Sequence, residues 1–243
     1  MPCSSCALRA VRITAMSDAE PQLLERETGS DPLFTVIWLH GLGADHRDFA
    51  QLPELLRLPT DLPVRFLLPD APMRPITING GMVMRGWYDI TGLDINREAR
   101  PEGLDESADI VRTLLSREEA RGMPPERIFI GGFSQGGAVA LHLGLRYHQT
   151  LAGIIGLSTY LPVAGSLAAE ADQANRETSI FLAHGLHDPV LALHLAENSR
   201  DLLSEQAFNV TWKTYPMPHS LSEAELIDLS DWLGVLFEAK SPS

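Results

Sequence analysis

Short apolar or β-branched runs recur along the chain at residues 33–39, 64–68, 128–131, 152–157, 180–183 and 210–215, each flanked by Gly, Pro or Asp. The first of them, Leu-Phe-Thr-Val-Ile-Trp-Leu, is almost continuously apolar, which predicts a strand buried on both faces rather than one with a wet side. Helical spacing fills the intervals at 107–121, 138–148, 190–205 and 223–237. In the second interval Val139, Leu141, Leu143 and Leu145 alternate as in a strand, but its length and its Ala, Leu and His content favour a buried helix. Ser222, followed by a Glu-rich turn, is placed to cap the last helix. Strands alternating with helices predict a mostly parallel central sheet covered by helices on both faces, an α/β fold.

Two segments break the rhythm. Residues 72–94 carry Asn79-Gly80-Gly81 between Ile76-Thr77-Ile78 and Met82-Val83-Met84, a strong hairpin signal. Such an insertion forms either a wall over a site or a peripheral ribbon packed on the domain, and the sequence does not choose between them. The polar stretch from Ser17 to Glu27 predicts an N-terminal tail over residues 1–30, with Met16 a candidate native start, followed by one catalytic domain over 31–240.

A chain of 243 residues suits one domain, and 44% hydrophobic with 21% charged residues is ordinary globular usage. Nineteen basic against thirty-two acidic residues give a net charge of -13, which argues against nucleic acid and anionic lipid headgroups as partners. No apolar run reaches the ~18 residues of a membrane span, so the expectation is a cytoplasmic protein. The two cysteines, Cys3 and Cys6, cannot staple a core made later in the chain; their C-x-x-C spacing lacks the second pair that a metal or redox site needs and reads as a solvated tail.

The chemistry centres on Gly132-Phe133-Ser134-Gln135-Gly136, which follows the strand at 128–131 and opens a helix. In G-x-S-x-G the serine occupies a strained turn where strand and helix backbones nearly touch, so side chains at the flanking positions would clash. The helix N-terminus directs free N–H groups and a positive dipole end at the serine. Ser134 is the expected nucleophile.

A serine hydroxyl needs an imidazole to take its proton and a carboxylate to fix that imidazole's tautomer. In this strand-turn-helix setting the chain order is Ser, acid, His. Order removes His40 and His46; His142 and His148 lack an intervening strand; His184, His187 and His194 lie beside the candidate acid. His219, in a loop after the last strand, remains as the base, and Asp188, just past the strand at 180–183, as the acid. Asp188 could instead be a plain helix cap, or His184, His187 and Asp188 a zinc set, although no third well-spaced ligand group is evident for the latter. Oxyanion N–H donors are expected from Gln135 and from the glycine loop His40-Gly41-Leu42-Gly43, with Leu42 the candidate.

With these pieces placed, the chain resembles the phospholipase/carboxylesterase family, which includes carboxylesterases and acyl-protein thioesterases. The resemblance spans about residues 31–238. It rests on His40-Gly41-Leu42-Gly43-Ala44-Asp45, Pro75-Ile76-Thr77-Ile78-Asn79-Gly80-Gly81, Gly86-Trp87-Tyr88-Asp89, Gly132-Phe133-Ser134-Gln135-Gly136-Gly137-Ala138, His184-Gly185, Asp188-Pro189, Pro216-Met217 and His219-Ser220. It implies an α/β-hydrolase fold with no large cap domain, the triad Ser134, Asp188 and His219, and oxyanion groups at Leu42 and Gln135. It also implies hydrolysis without cofactor or metal of small-molecule, lipid or acyl-protein esters and thioesters, and a homodimer. Two departures stand out: Pro218 where the family has Gly before the histidine, and His46-Arg47 in place of a glycine-containing turn.

Ile76, Met82, Met84, Trp87 and the stretch 157–161 are candidates to line the substrate pocket, against the plainer reading that they are core. Two other functions stay open on sequence. One is a peptidase or dienelactone-type hydrolase with the same triad; the other is a catalytically silent interaction protein on the same fold, which would be expected to lack a triad or oxyanion element.

Overall fold

A computed structural model describes residues 9–15, 22–92 and 100–241 of the chain. Cys3, Cys6 and Met16 lie outside the described residues, as do the last two positions of the 72–94 insertion. The strands are β1 (Arg9–Ala15), β2 (Gln22–Glu27), β3 (Phe34–Leu39), β4 (Val64–Pro69), β5 (Met73–Ile76), β6 (Met82–Arg85), β7 (Ile128–Phe133), β8 (Gly153–Leu157), β9 (Ile180–Gly185) and β10 (Val210–Tyr215). The helices are α1 (Leu52–Leu55), α2 (Leu104–Ala120), α3 (Gln135–Gly144), α4 (Leu167–Glu170), α5 (Leu193–Glu205) and α6 (Glu223–Lys240).

Eight strands form the central sheet in the order β1-β2-β4-β3-β7-β8-β9-β10, and all neighbours pair in parallel except at β2, which runs against both β1 and β4. All six expected strands are present. The continuous apolar runs are continuous because the sheet is covered twice. Ile37, Leu39, Ile130 and Ile154 face one layer with α2 and α3, whereas Phe34, Val36, Trp38, Phe129 and Ile155 face the other with α1 and α6. Phe34, Phe129 and Phe237 knit the second layer, with ring centroids 4.5 Å apart for Phe34 and Phe237 and 5.2 Å for Phe129 and Phe237.

The helices follow the same logic. In α2 Leu104, Ala108, Val111, Leu114 and Leu115 are buried, one stripe of a two-faced helix, while every residue of α3 is buried, as its nearly unbroken apolar sequence requires. The helix α6 begins where Ser222 Oγ accepts from Glu225 N at 3.2 Å, the expected cap.

The N-terminal expectation changes. Segments Arg9–Ala15 and Gln22–Glu27, placed by sequence in a tail, are strands that extend the sheet at its β4 edge. Leu23 and Leu24 are buried on opposite faces. The acidic residues of β2 are paired: Arg65 on β4 lies 3.4 Å from Glu25, 2.9 Å from Glu27 and 2.8 Å from the buried Glu118, and Arg117 and Arg121 each reach Glu25 at 3.1 Å. The 72–94 insertion is a two-stranded antiparallel ribbon of β5 and β6, with Ile76 opposite Met82 and a 3-10 turn at Thr77–Asn79 in place of further strand.

Candidate active site

Four loops leaving the carboxyl ends of β3, β7, β9 and β10 carry the expected residues to one rim of the sheet. Ser134 sits between β7 and α3 with φ 54° and ψ -121°, a backbone state that few non-glycine residues adopt. Its neighbours hold it there: Ser134 N donates to Leu157 O at 2.8 Å, and Thr159 Oγ1 donates to Ser134 O at 2.7 Å. A Cβ at Gly132 would lie 2.6 Å from Leu39 O, and one at Gly136 would strike the same carbonyl, so the turn is closed to larger residues. The cost of this backbone state, on the order of 1–3 kcal/mol, is borne by the contacts that surround it.

The expected base and acid, His219 and Asp188, meet across two other loops. His219 Nδ1 and Asp188 Oδ2 are 2.6 Å apart, and the Asp188 side chain is wholly buried. The other carboxylate oxygen, Oδ1, accepts from Val190 N and Leu191 N, both at 2.8 Å, so Asp188 both caps its own loop and receives the imidazole. The imidazole packs on Phe133, 4.7 Å between ring centroids, and borders the groove that Ser134 borders. Pro218 is accommodated because the loop asks its carbonyl, not an N–H, to bond: Ser220 N donates to Pro218 O at 2.8 Å. That carbonyl rests on Gly185, where a Cβ would come within 2.6 Å.

His184 Nε2 lies 3.4 Å from Asp188 Oδ2. Buried His184 bonds Leu191 O through Nε2 at 2.9 Å, burial lowers its pKa, and His187 is exposed. His40, excluded as a base by chain order, has a structural task. Its Nε2 accepts from Ala71 N at 2.9 Å, and burial holds it neutral.

Around the oxyanion position, Gly43 N donates to Arg85 O at 2.8 Å and Ala44 N to Gly41 O at 3.3 Å. The loop N–H groups on the far side of Leu42 are thus engaged elsewhere, and Leu42 and Gln135 both border the grooves at Ser134. The side chain of Gln135 accepts from Trp87 N at 2.8 Å and donates to Tyr88 O at 2.7 Å, and its backbone N–H is at the first position of α3, among those a helix leaves without an intrahelical partner.

Two grooves meet at Ser134. One, of about 660 Å³, is bordered by Phe49, Phe133, His219 and Leu221; the other, of about 680 Å³, by Ile78, Ile90, Tyr160, Leu191 and Leu195. Leu42, Ser134 and Val190 belong to both. The expected pocket residues Ile76, Met84 and Trp87 are among neither set. Ile76 is buried beneath Gly86, Met84 packs by Gly43 and Asn79, and Trp87 is core, with Nε1 donating to His40 O at 2.8 Å. Of the stretch 157–161 only Tyr160 borders a groove, paired through its hydroxyl with Tyr88 at 2.9 Å. Ile78, Val190 and Leu191 were not singled out as pocket residues in the sequence; the last two come two and three positions after Asp188, the one signal that could have found them.

The sequence matches the family described as Phospholipase/Carboxylesterase over residues 27–236. It is 44% identical over 208 residues to acyl-protein thioesterase 1 of Neurospora crassa, covering 82% of this chain and 85% of that one. Against acyl-protein thioesterase 1 of Mycosarcoma maydis it is 36% identical over 240 residues, covering 93% and 100%. Among solved structures, Arabidopsis thaliana SOBER1 superposes with a TM-score of 0.77 at 28% identity, covering 84% of this chain and 99% of that one. Zea mays acyl-protein thioesterase 2 gives 0.75 at 28%, covering 87% and 98%. Among the described residues no helix is long and apolar enough to cross a membrane.

Proposed function

The chain belongs to the phospholipase/carboxylesterase family and has the α/β-hydrolase fold, and from that premise we propose that Ser134, His219 and Asp188 act as a catalytic triad on carboxylic esters and thioesters. The observation that carries the reading is the strained Ser134 bordering the same groove as an imidazole whose other nitrogen is 2.6 Å from a buried carboxylate.

In this reading Ser134 Oγ attacks the carbonyl carbon while His219 Nε2 takes its proton, and the Nδ1–H donated to Asp188 holds the tautomer that makes this possible. The N–H groups of Leu42 and Gln135 receive the negative charge that develops on the carbonyl oxygen. Collapse expels the alcohol or thiol with the proton from His219. Water, deprotonated by the same imidazole, then releases the acid. The groove bordered by Ile78, Ile90, Leu191 and Leu195 suits the acyl chain, and the one bordered by Phe49 and Leu221 suits the leaving group.

Relatives named acyl-protein thioesterases favour thioester substrates, and acyl-protein or lipid esters of short to medium chain fit the groove volumes. The expected cytoplasmic location and homodimer belong to the same reading. The test is Ser134→Ala: labelling by a fluorophosphonate probe and turnover of a short-chain nitrophenyl ester should both vanish while the circular dichroism spectrum is kept. Undiminished labelling of that variant would remove this serine from the mechanism.

A further inference from the structure

Beyond the triad and the two N–H donors lies a buried charged cluster that no step of the proposed reaction uses. Asp70 follows β4 and is wholly buried. Its Oδ1 accepts from both the backbone N and the Nδ1 of His46, each at 2.8 Å, and its Oδ2 is 2.9 Å from Arg85 Nη2. Arg85, at the end of β6, also donates through Nη1 to Ala71 O at 3.0 Å and accepts Gly43 N through its own carbonyl. Ala71 N completes the ring by donating to His40 Nε2.

Asp45, His46 and Asp70 bring possible ligand atoms within 4.8 Å of one another, a spacing that suggests a cation. The cationic partners are already there. Arg85 neutralises Asp70, and Arg47 pairs with Asp45 at 2.5 Å and holds that carboxyl well below the usual range. A buried carboxylate that accepts twice from His46 through one oxygen and is ion-paired with Arg85 at the other rigidifies what it ties together.

What it ties is the segment from His40 to His46, which contains Leu42. We infer that Asp70, through His46 and Arg85, is a positioning residue for the oxyanion hole: it clamps the far end of that loop and the β6 carbonyl that turns Gly43 N–H away, leaving the Leu42 N–H aimed at Ser134. His40 and Trp87 clamp the near end. The inference rests on the proposed triad reading. A donor misplaced by a fraction of an ångström stabilises the transition state less while substrate binding is spared. Its signature is therefore a loss in kcat rather than KM.

The experiment compares Asp70→Asn and His46→Ala with the parent on a short-chain nitrophenyl ester. It also measures their affinity for a trifluoromethyl ketone, whose hemiketal oxygen occupies the oxyanion position. Asp70→Asn is expected to lower kcat about ten-fold or more with KM within about two-fold, and to weaken ketone binding by a similar factor. His46→Ala, which keeps the backbone bond to Asp70, should show a smaller loss in the same two quantities. A folded Asp70→Asn with kcat and ketone affinity within two-fold of the parent overturns the inference, as does a kcat loss with unchanged ketone binding. Should Asp70→Asn fail to fold, His46→Ala decides, and no change in either quantity counts against it. Ester turnover that survives in Ser134→Ala would instead sink the triad reading, whatever Asp70 does.

Discussion

His219 and Asp188, contributed by loops after different strands, are joined by a 2.6 Å contact that buries one of the carboxylate's oxygens against the imidazole while two backbone N–H groups hold the other. Replacing only the oxygen that faces the ring separates orientation from charge. Asp188→Asn, with Oδ1 still accepting from Val190 and Leu191, should retain the fold and lose about 10⁴-fold in kcat, because the amide favours the wrong imidazole tautomer. Steady-state kinetics alongside thermal unfolding would check both halves; a loss below ten-fold would contradict the assigned role.

The turn at Ser134 should tolerate nothing larger at its flanks. Gly136→Ala pushes a methyl into Leu39 O, backbone against backbone, so the expected outcome is an insoluble protein or a loss of about 3 kcal/mol or more in urea unfolding. Gly234→Ala, in open space on α6, is the control and should raise stability by about 0.5–1 kcal/mol through helix propensity.

Gln135 supplies its side chain to structure. Gln135→Leu would strand Trp87 N–H and Tyr88 C=O in a buried site, at about 1–3 kcal/mol for each unpaired group. Urea midpoints should fall accordingly, and catalysis should fall too as the β6 side of the groove loosens.

Val190 borders both grooves and is 65% exposed, so enlarging it changes the passage without emptying the core. With Val190→Trp, the ratio of kcat/KM for decanoyl over butyryl nitrophenyl esters should drop at least about five-fold, an effect of about 1 kcal/mol. Trp87→Phe, by contrast, removes a buried N–H donor from His40 O and should lower stability with that ratio unchanged.

Stability should be squeezed from both ends of the pH scale. Burial raises the Glu225 carboxyl from 4.5 to about 8, so between those values the folded chain binds the extra proton and loses stability as pH rises. Burial, with Arg146 and Arg100 nearby, lowers His142 from 6.5 to about 4; over that window the unfolded chain binds the proton and stability is lost as pH falls. Glu225→Gln should therefore gain on the order of a few kcal/mol over the parent at pH 9 and little at pH 4.5, read from thermal unfolding at both. Equal gains at the two values would refute the linkage.

The parallel strands and the serine turn of the proposed triad were legible because each has a local signature: an apolar run for Phe34–Leu39 or Ile128–Phe133, and a glycine-flanked serine between strand and helix. The β2 strand was not, because Glu25 and Glu27 read as solvated residues until Arg65, Arg117 and Arg121 are brought to them from elsewhere in the chain, as does Arg26 until Glu54 is brought to it. The groove residues failed for the converse reason. Trp87 has the composition of a binding residue, yet its burial is decided by His40 and Gln135, both more than forty positions away. Periodicity reports which residues avoid water and says nothing of which of them a ligand will touch.

The junction of two grooves at Ser134 bears on the order of events. In the proposed reaction, with the acyl half on one side and the departing half on the other, the released alcohol or thiol would diffuse off while the covalent intermediate stays anchored, and the space it vacates would open a lane for water. Such an arrangement lets an added nucleophile compete with water for the intermediate, so small alcohols should divert product from acid to new ester.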